Sequence, residues 1–255
     1  MNAPMNDATN AAAPRVLVIG DTVIPYTVRM SARAKRQRLV VTPAGVELVA
    51  PVGTPEAAMQ QLMRHKRRWV FDAVHAVNER HRALLAQRYA SGAKLQVRGR
   101  WLTLALHEAA PGDEAVTVAL RGQVHIGVPN TLAPDARLPA ISAAVDAWLR
   151  GRAQDDLDRL GRQWAGQLGV TPTALRLTDA RARWGSCGRD GVVRVHWRLA
   201  QAPLVAMEYV IAHELTHLRH RHHGPTFWLT LAEKMPDWST RKALLERWEV
   251  HRREL

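Results

Sequence analysis

The 255-residue sequence has a single cysteine, Cys187, so an intramolecular disulfide scaffold is excluded. Four-cysteine zinc modules are excluded for the same reason, and the scarcity of cysteine favours a reducing, cytoplasmic compartment. No run approaches the ~18–20 uncharged apolar residues that a membrane-spanning helix needs. The first residues contain neither a basic region nor an apolar stretch, which argues against a secretory signal. We therefore expect a globular protein without a membrane partner.

Acidic residues are scarce in the first hundred positions. Residues 1–100 have 16 basic and 6 acidic side chains, a net charge of +10, whereas residues 101–255 have 20 and 17, a net charge of +3. The clearest basic cluster consists of Arg29, Arg33, Lys35, Arg36 and Arg38. Such a cluster favours contact with the phosphate groups of a nucleic acid or a nucleotide. A solvated basic hairpin explains it equally well, because Tyr26 is the one nearby aromatic residue that could stack on a base.

Strand-type and helix-type patterns occur in separate blocks along the chain, which predicts an α+β fold. Residues 1–14 are rich in Ala, Asn and Pro without periodicity, and we predict a disordered tail there. Residues 15–130 contain short strand patterns, hairpin turns and helices, and we predict that they form a basic N-terminal β/α region. Residues 131–255 are mainly helical and contain the strongest chemical signal. No internal repeat is evident in the sequence.

Turn residues and apolar periodicity locate the main elements. A Pro-Ala-Gly turn between two strand patterns predicts a hairpin over residues 38–49. One helix is predicted over about 54–87, with the side chain of Thr54 as its N-cap. Helical spacing of apolar residues predicts a long helix over 138–168, and a further helix is predicted from Leu204 to His220.

The strongest chemical signal is an HExxH pattern, His213-Glu214-Leu215-Thr216-His217, within an apolar helical run. Histidines four residues apart lie on one face of a helix, so both imidazoles can bind one zinc ion. Glu214 lies near the open coordination position, where it can accept a proton from a water held at the metal. A surface helix with exposed charges is the alternative. The apolar neighbours oppose it, because buried polar side chains without a ligand are costly.

A hydrolytic zinc site needs a third protein ligand. The candidates downstream of the HExxH pattern are His220, His222, His223 and Glu233. On a straight helix His220 would lie about 10 Å along the axis from His213, too far to share an ion with it. His223 can reach the first two histidines only if the chain turns after His217. The Gly-Pro pair directly after His223 favours such a break, so His223 is the preferred candidate and the other three stay open.

Residues around the HExxH pattern extend it to a specific block. Its parts are Arg183-Trp184-Gly185-Ser186-Cys187, Trp197-Arg198-Leu199, Pro203, Tyr209 to Leu218, His223 to Trp228, and Met235 to Trp238. In the N-terminal half the corresponding residues are Tyr26, Arg29, Ser31, Arg33 and the strand 36–41. In these residues the chain resembles the YgjP-like zinc metallopeptidase family, a zincin family related to the WLM and SprT-type metallopeptidases. The resemblance covers most of residues 24–250.

The resemblance implies an α+β fold whose N-terminal region is rich in strands, hairpins and helices. It implies that residues 131–255 form a zincin-like metallopeptidase domain with an active-site helix. It also implies one Zn²⁺ ion, with His213, His217 and His223 as ligands and Glu214 as the general base.

The chain departs from the family pattern at two places. The family usually has Asn before the Trp-Arg-Leu triplet, whereas this chain has His196. The difference affects a hydrogen bond from that position and leaves the metal ligands unchanged. The stretch Glu108–Val128 matches the family least.

Four residues near the HExxH pattern are candidates for substrate binding: Trp184, Gly185, Ser186 and Tyr209. In zincins an edge strand beside the active-site helix offers backbone groups to an extended substrate, and Gly185 would permit close approach. Ser186 or a nearby N–H could assist an oxyanion. Packing in the core is the alternative for the turn and for Tyr209. Cys187 is most simply a buried small side chain.

These features predict a zinc-dependent hydrolase, most simply a metallopeptidase acting on a peptide or protein, in which Glu214 activates a zinc-bound water. One alternative is a metal-dependent nucleoside-triphosphate pyrophosphohydrolase, which the basic N-terminal region would suit. Against it, the chain has neither a Walker loop nor an acidic cluster for a magnesium nucleotide. Another alternative is a nucleic-acid-associated SprT-like protease or a DNA-binding protein. The oligomeric state is not predicted.

Overall fold

The computed structural model describes residues 15–180 and 182–253, with the backbone alone for residues 251–253. The predicted tail, residues 1–14, lies outside the described residues. The chain packs as two compact units, divided in sequence between Ala86 and Gln87. No helix of the described part is both long enough and apolar enough to cross a membrane.

The first unit consists of one sheet followed by helices. Its elements are β1 (Arg15–Ile19), β2 (Thr22–Ser31), β3 (Arg38–Thr42), β4 (Gly45–Pro51), α1 (Glu56–His65) and α2 (Arg67–Arg88), whose last two residues belong to the second unit. The strand order is β1-β2-β4-β3, with β2 and β4 parallel and the other neighbours antiparallel. The predicted hairpin over residues 38–49 is confirmed by the pairing of β3 with β4. Ile24 and Tyr26 of β2 share a core with Met59 and Met63 of α1.

The single helix predicted over 54–87 is wrong, because Lys66 separates α1 from α2. Thr54 is not an N-cap. Its hydroxyl donates to the carbonyl of Pro51 at 2.7 Å, and Pro55 precedes the first helical residue without a side-chain cap. A proline disfavours helical geometry at the residue before it, so Thr54 closes the preceding turn instead.

The second unit contains two sheets and the long helix. Its elements are β5 (Lys94–Val97), β6 (Arg100–Glu108), β7 (Thr117–Arg121), β8 (Gln123–Val128), α3 (Pro134–Leu168), β9 (Ala174–Thr178), β10 (Gly185–Cys187), β11 (Val192–His196), a 3₁₀ helix (Trp197–Ala200), α4 (Leu204–Thr216), α5 (Pro225–Lys234) and α6 (Trp238–Arg253). The strand orders are β5-β6-β8-β7 and β10-β11-β9. The main core lies between α3, α4 and the second of these sheets. Together with the first unit, these elements confirm the predicted α+β class.

The two four-stranded sheets share one topology. In each sheet two antiparallel hairpins are joined through a parallel central pair, β2 with β4 and β6 with β8. A tight turn with a left-handed glycine connects the first two strands in both cases, at Gly20 (φ 58°) and Gly99 (φ 77°). The chain therefore contains a structural repeat that its sequence does not reveal.

The boundary predicted at residue 130 differs from the packing boundary between Ala86 and Gln87. The turn between β5 and β6 explains the difference. The backbone N–H groups of Arg98 and Gly99 donate to two carbonyls at the end of the 3₁₀ helix, at 2.8 and 2.9 Å. Residues 87–130 therefore pack with the helical part of the chain.

An ion pair connects the same turn to α3. Asp156 is 1% exposed and accepts two hydrogen bonds from Arg98, at 2.6 and 2.9 Å. It accepts a third from Arg159 at 3.2 Å. Both guanidinium groups remain partly exposed, so only the carboxylate loses nearly all of its hydration on folding.

Asp156→Asn should lower the free energy of unfolding by about 1–3 kcal/mol. The loss is smaller than the about 3–5 kcal/mol of a fully buried pair, since water partly solvates both arginines. Urea denaturation measures the effect. Asp155→Asn changes an exposed neighbour on the same helix and serves as the control. Equal midpoints for the two variants would contradict the prediction.

Candidate metal centre

Helix α4 ends earlier than the sequence pattern predicts. It ends at Thr216, with His217 as its C-cap residue, rather than at His220. The N–H of His220 donates to the carbonyl of Thr216 at 3.0 Å, which closes a turn. Helix α5 then begins at Pro225, a residue favoured at the first helical position. The chain therefore makes the turn that His223 needs in order to approach the first two histidines.

The imidazoles of His213, His217 and His223 converge. One ligand nitrogen from each ring lies within 4.8 Å of the others, and the Nε2 atoms of His213 and His223 are 2.9 Å apart. The ring centroids are separated by 4.7–5.1 Å. Among the described residues these three form the one group of His, Cys, Asp or Glu side chains that could hold a metal ion.

The other candidates for a third ligand have different positions. The ring of His220 lies 2.9 Å from the hydroxyl of Thr230, and its backbone carbonyl is 2.9 Å from Nδ1 of His217. Glu233 is exposed and pairs with Lys234 at 2.7 Å. His222 is exposed and outside the converging group. His220 is therefore placed to orient His217.

Two aromatic residues of α5 support the imidazoles, and sequence reasoning assigned no role to either. Phe227 is fully buried, with its ring centroid 4.7–4.9 Å from the centroids of all three histidines. Trp228 stacks on His223 at 5.6 Å and donates its Nε1–H to the carbonyl of that residue at 3.1 Å. One feature of the sequence could have indicated this role: both residues follow shortly after the third histidine. Aromatic residues just after a turn can pack against the helix that precedes the turn.

Burial favours the neutral form of two of the three imidazoles. It lowers the pKa of His213 to about 3, helped by the neighbouring His217 and His223, and it lowers the pKa of His217. Because a carbonyl can only accept, Nδ1 of His217 carries the proton that it donates to His220, and Nε2 keeps its lone pair. Nitrogen donors from three histidines are a donor set that zinc prefers. The residues therefore fit the metal that the sequence predicts.

Glu214 lies beside this group, with 8% of its surface exposed. Burial raises the pKa of its carboxyl group to about 7, and the positive charge of Arg183 opposes the rise. Gly185 of β10 faces it closely, since a Cβ atom at residue 185 would lie 2.6 Å from Cγ of Glu214. A carboxyl group with a pKa near neutrality can both accept and release a proton.

A pocket of about 290 Å³ opens next to Glu214, between β10, α4 and α6. Three of the four predicted substrate-binding residues line it: Trp184, Gly185 and Tyr209. The fourth, Ser186, belongs to β10 but not to the lining. The strand order puts β10 at the edge of its sheet, beside the helix that carries the histidines.

A comparison with known families matches residues 35–248 to the description "YgjP-like, metallopeptidase domain". The chain belongs to the YgjP-like family. Among solved structures, the crystal structure of the metallopeptidase zymogen of Pyrococcus abyssi abylysin is similar, with 18% identity and a TM-score of 0.34. That match covers 37% of this chain and 93% of the other. A comparison with curated proteins gives no match.

His196, directly before the Trp-Arg-Leu triplet of this YgjP-like chain, has a local role. His196 precedes the 3₁₀ helix, and its Nδ1 accepts a hydrogen bond from the N–H of Arg198 at 3.1 Å. Asn is also a favoured residue at such caps. Cys187 is half-buried with the guanidinium of Arg221 at 3.8 Å, and burial raises the pKa of its thiol. It lies outside the converging histidines.

His223→Ala should weaken zinc binding by more than about 10-fold, because it removes one of three donors. Zinc content by elemental analysis and affinity by chelator competition measure the loss. His222→Ala removes the adjacent exposed imidazole and should keep the wild-type affinity. Unchanged zinc stoichiometry in His223→Ala would indicate that Glu233 or His220 is the third ligand.

Gly185→Ala should reduce kcat for peptide hydrolysis by at least about 10-fold with normal zinc content. The new methyl group would displace the Glu214 carboxylate, and displacements of about 1 Å can cost 100-fold. Steady-state kinetics and metal analysis test this expectation. The control is Gly151→Ala on α3, where an added Cβ meets no atom within 4 Å. Wild-type kcat in Gly185→Ala would show that Glu214 tolerates the contact.

Proposed function

We propose that this chain is a zinc-dependent metallopeptidase that hydrolyses peptide bonds with Glu214 as its general base. The observation that carries the proposal is the convergence of three imidazoles beside a buried carboxyl group. Membership of a metallopeptidase family supports it independently.

His213, His217 and His223 would hold one zinc ion, and three protein ligands leave one position open. When bound, zinc polarises a substrate carbonyl and lowers the pKa of a water molecule towards ~7. His220 and Phe227 serve the ion indirectly, through a hydrogen bond to His217 and through packing beneath the three rings.

Glu214 moves the proton in this proposal. Its carboxylate accepts a proton from the water that attacks the scissile carbonyl, and then gives that proton to the leaving amine. Burial brings the pKa of this carboxyl group to about 7, and the charge of a bound zinc ion would favour the ionised, proton-accepting form. Arg183 favours the ionised form, which is the form that accepts the proton.

An extended peptide would bind along the open edge of β10. Strand addition would supply backbone hydrogen bonds, and the missing side chain of Gly185 leaves room for Glu214 beside this edge. Burial raises the pKa of Tyr209 to about 12, so its hydroxyl keeps its proton. That hydroxyl lies 3.4 Å from Nδ1 of His213, so Tyr209 contacts a candidate ligand as well as the pocket.

The nucleotide and nucleic-acid alternatives rest on the basic cluster in the first unit. Arg29 of that cluster pairs with Glu47 of β4 at 2.8 Å, so part of its charge is compensated within the sheet. Both alternatives stay predictions. Salt-dependent retention on DNA and hydrolysis of nucleoside triphosphates would distinguish them from peptide hydrolysis.

Glu214→Gln should keep zinc and lower kcat by about 100- to 10,000-fold, the usual contribution of a general base. Elemental analysis and a chelator-sensitive peptide assay measure the two quantities on the same preparation. Glu233→Gln neutralises an exposed carboxylate and should leave both unchanged. Turnover at the wild-type rate in Glu214→Gln would exclude the proposed role.

A further inference from the structure

The pocket beside Glu214 has an apolar interior. Its walls include Trp184, which directly precedes β10, Val210 from α4 and Leu245 from α6, and the last two are buried in the main core. One end is formed by His213 and Glu214. A group that fills the pocket therefore lies directly next to the proposed reaction centre.

The aromatic wall of the pocket is held in place. Trp184 donates its Nε1–H to a carboxylate oxygen of Glu249 at 3.1 Å. Its ring also contacts Trp248, with centroids 5.2 Å apart, and His196, with centroids 5.5 Å apart. These contacts from two sides fix the ring, so the width of the pocket is set before any ligand binds.

Three charged residues of the lining are exposed. Lys242 pairs with Glu246 at 3.4 Å, and both side chains are about half exposed. Arg183 is exposed as well. Water therefore solvates these three charges. Glu249 is half-buried and accepts the hydrogen bond of Trp184, and most of the remaining interior is hydrocarbon and aromatic surface.

The volume limits what the pocket can hold. At about 290 Å³ it lies at the lower end of the ~300–1,000 Å³ typical of ligand pockets. Such a space suits one side chain rather than a whole ligand.

We propose that this pocket binds one apolar side chain, of leucine to phenylalanine size, from the substrate residue adjacent to the scissile bond. It thereby determines the specificity of the peptidase. This inference rests on the proposed function, because it concerns the substrate of the same site. Val210 and Leu245 are the residues that set its size.

The test uses the full-length, zinc-loaded protein and fluorogenic peptides. The cleaved bond is first located by mass spectrometry, and matched peptides then carry Gly, Ala, Leu or Phe on either side of it. If no bond is cleaved, the same substitutions are made on either side of the central bond of one peptide. At one of these two positions Leu or Phe should raise kcat/KM over Ala by roughly 10- to 200-fold, the range that apolar pockets provide. A preference below about 3-fold at both positions would overturn the inference.

Two substitutions should change this preference in opposite directions. Val210→Phe fills the pocket and should reduce the preference for Leu or Phe over Ala by about 10-fold. Leu245→Ala enlarges it and should shift the optimum towards Phe. Val205→Phe, at a 39% exposed position of the same helix α4, is the control and should keep the wild-type profile. Preferences in both variants equal to those of the control would also overturn the inference. If Val210→Phe does not fold, Leu245→Ala alone decides.

A binding measurement can test the pocket independently of the proposed peptidase activity. Calorimetry on Glu214→Gln should show the same ranking of the matched peptides without cleavage. Absence of hydrolysis by the wild type, together with ranked binding, would reject the peptidase and keep the pocket. Hydrolysis by the wild type, together with equal binding of all the matched peptides, would keep the peptidase and reject the pocket.

Discussion

The end of helix α4 at Thr216 is the constraint on which the candidate centre depends. The HExxH spacing aligns two histidines, but on a continuous helix His223 would lie about 15 Å from His213 along the axis. The turn after Thr216 brings their Nε2 atoms to 2.9 Å. Helix α5 then continues the chain and packs Phe227 against all three rings. The turn that brings the third imidazole to the others therefore also provides the support beneath them.

Burial shifts the pKa values of the basic and the acidic groups at the candidate centre in opposite directions. The same burial that lowers the pKa of His213 raises that of Glu214. Neutral imidazoles present lone pairs, and a carboxyl group poised near neutrality exchanges a proton. Gly185 makes this possible, because any larger residue would occupy the space of the Glu214 side chain. The edge strand thus contributes to the site because Gly185 has no Cβ atom.

The parts of the structure that depend on sequence neighbours could be predicted. The hairpin over residues 38–49 and the HExxH spacing are of this kind. The end of α4 could not be located from the pattern, because the apolar run continues to Leu218 while the turn is fixed by packing of α5. The matching topologies of the two sheets and the wall formed by Leu245 were inaccessible for the same reason. They depend on contacts between residues that are far apart in the chain.

The three candidate ligands fall within eleven consecutive positions, residues 213–223. Bringing together the ends of so short a segment has a small loop-closure entropy, so the donor set can assemble early as local structure. The pocket beside Glu214 is not local in this sense, because two residues of its wall, Trp184 and Leu245, are sixty-one residues apart in the sequence. The candidate ligand set is thus defined by contacts that are local in sequence, whereas the pocket is defined by long-range contacts. A substitution in a distant element could therefore alter the pocket and leave the geometry of the three imidazoles intact.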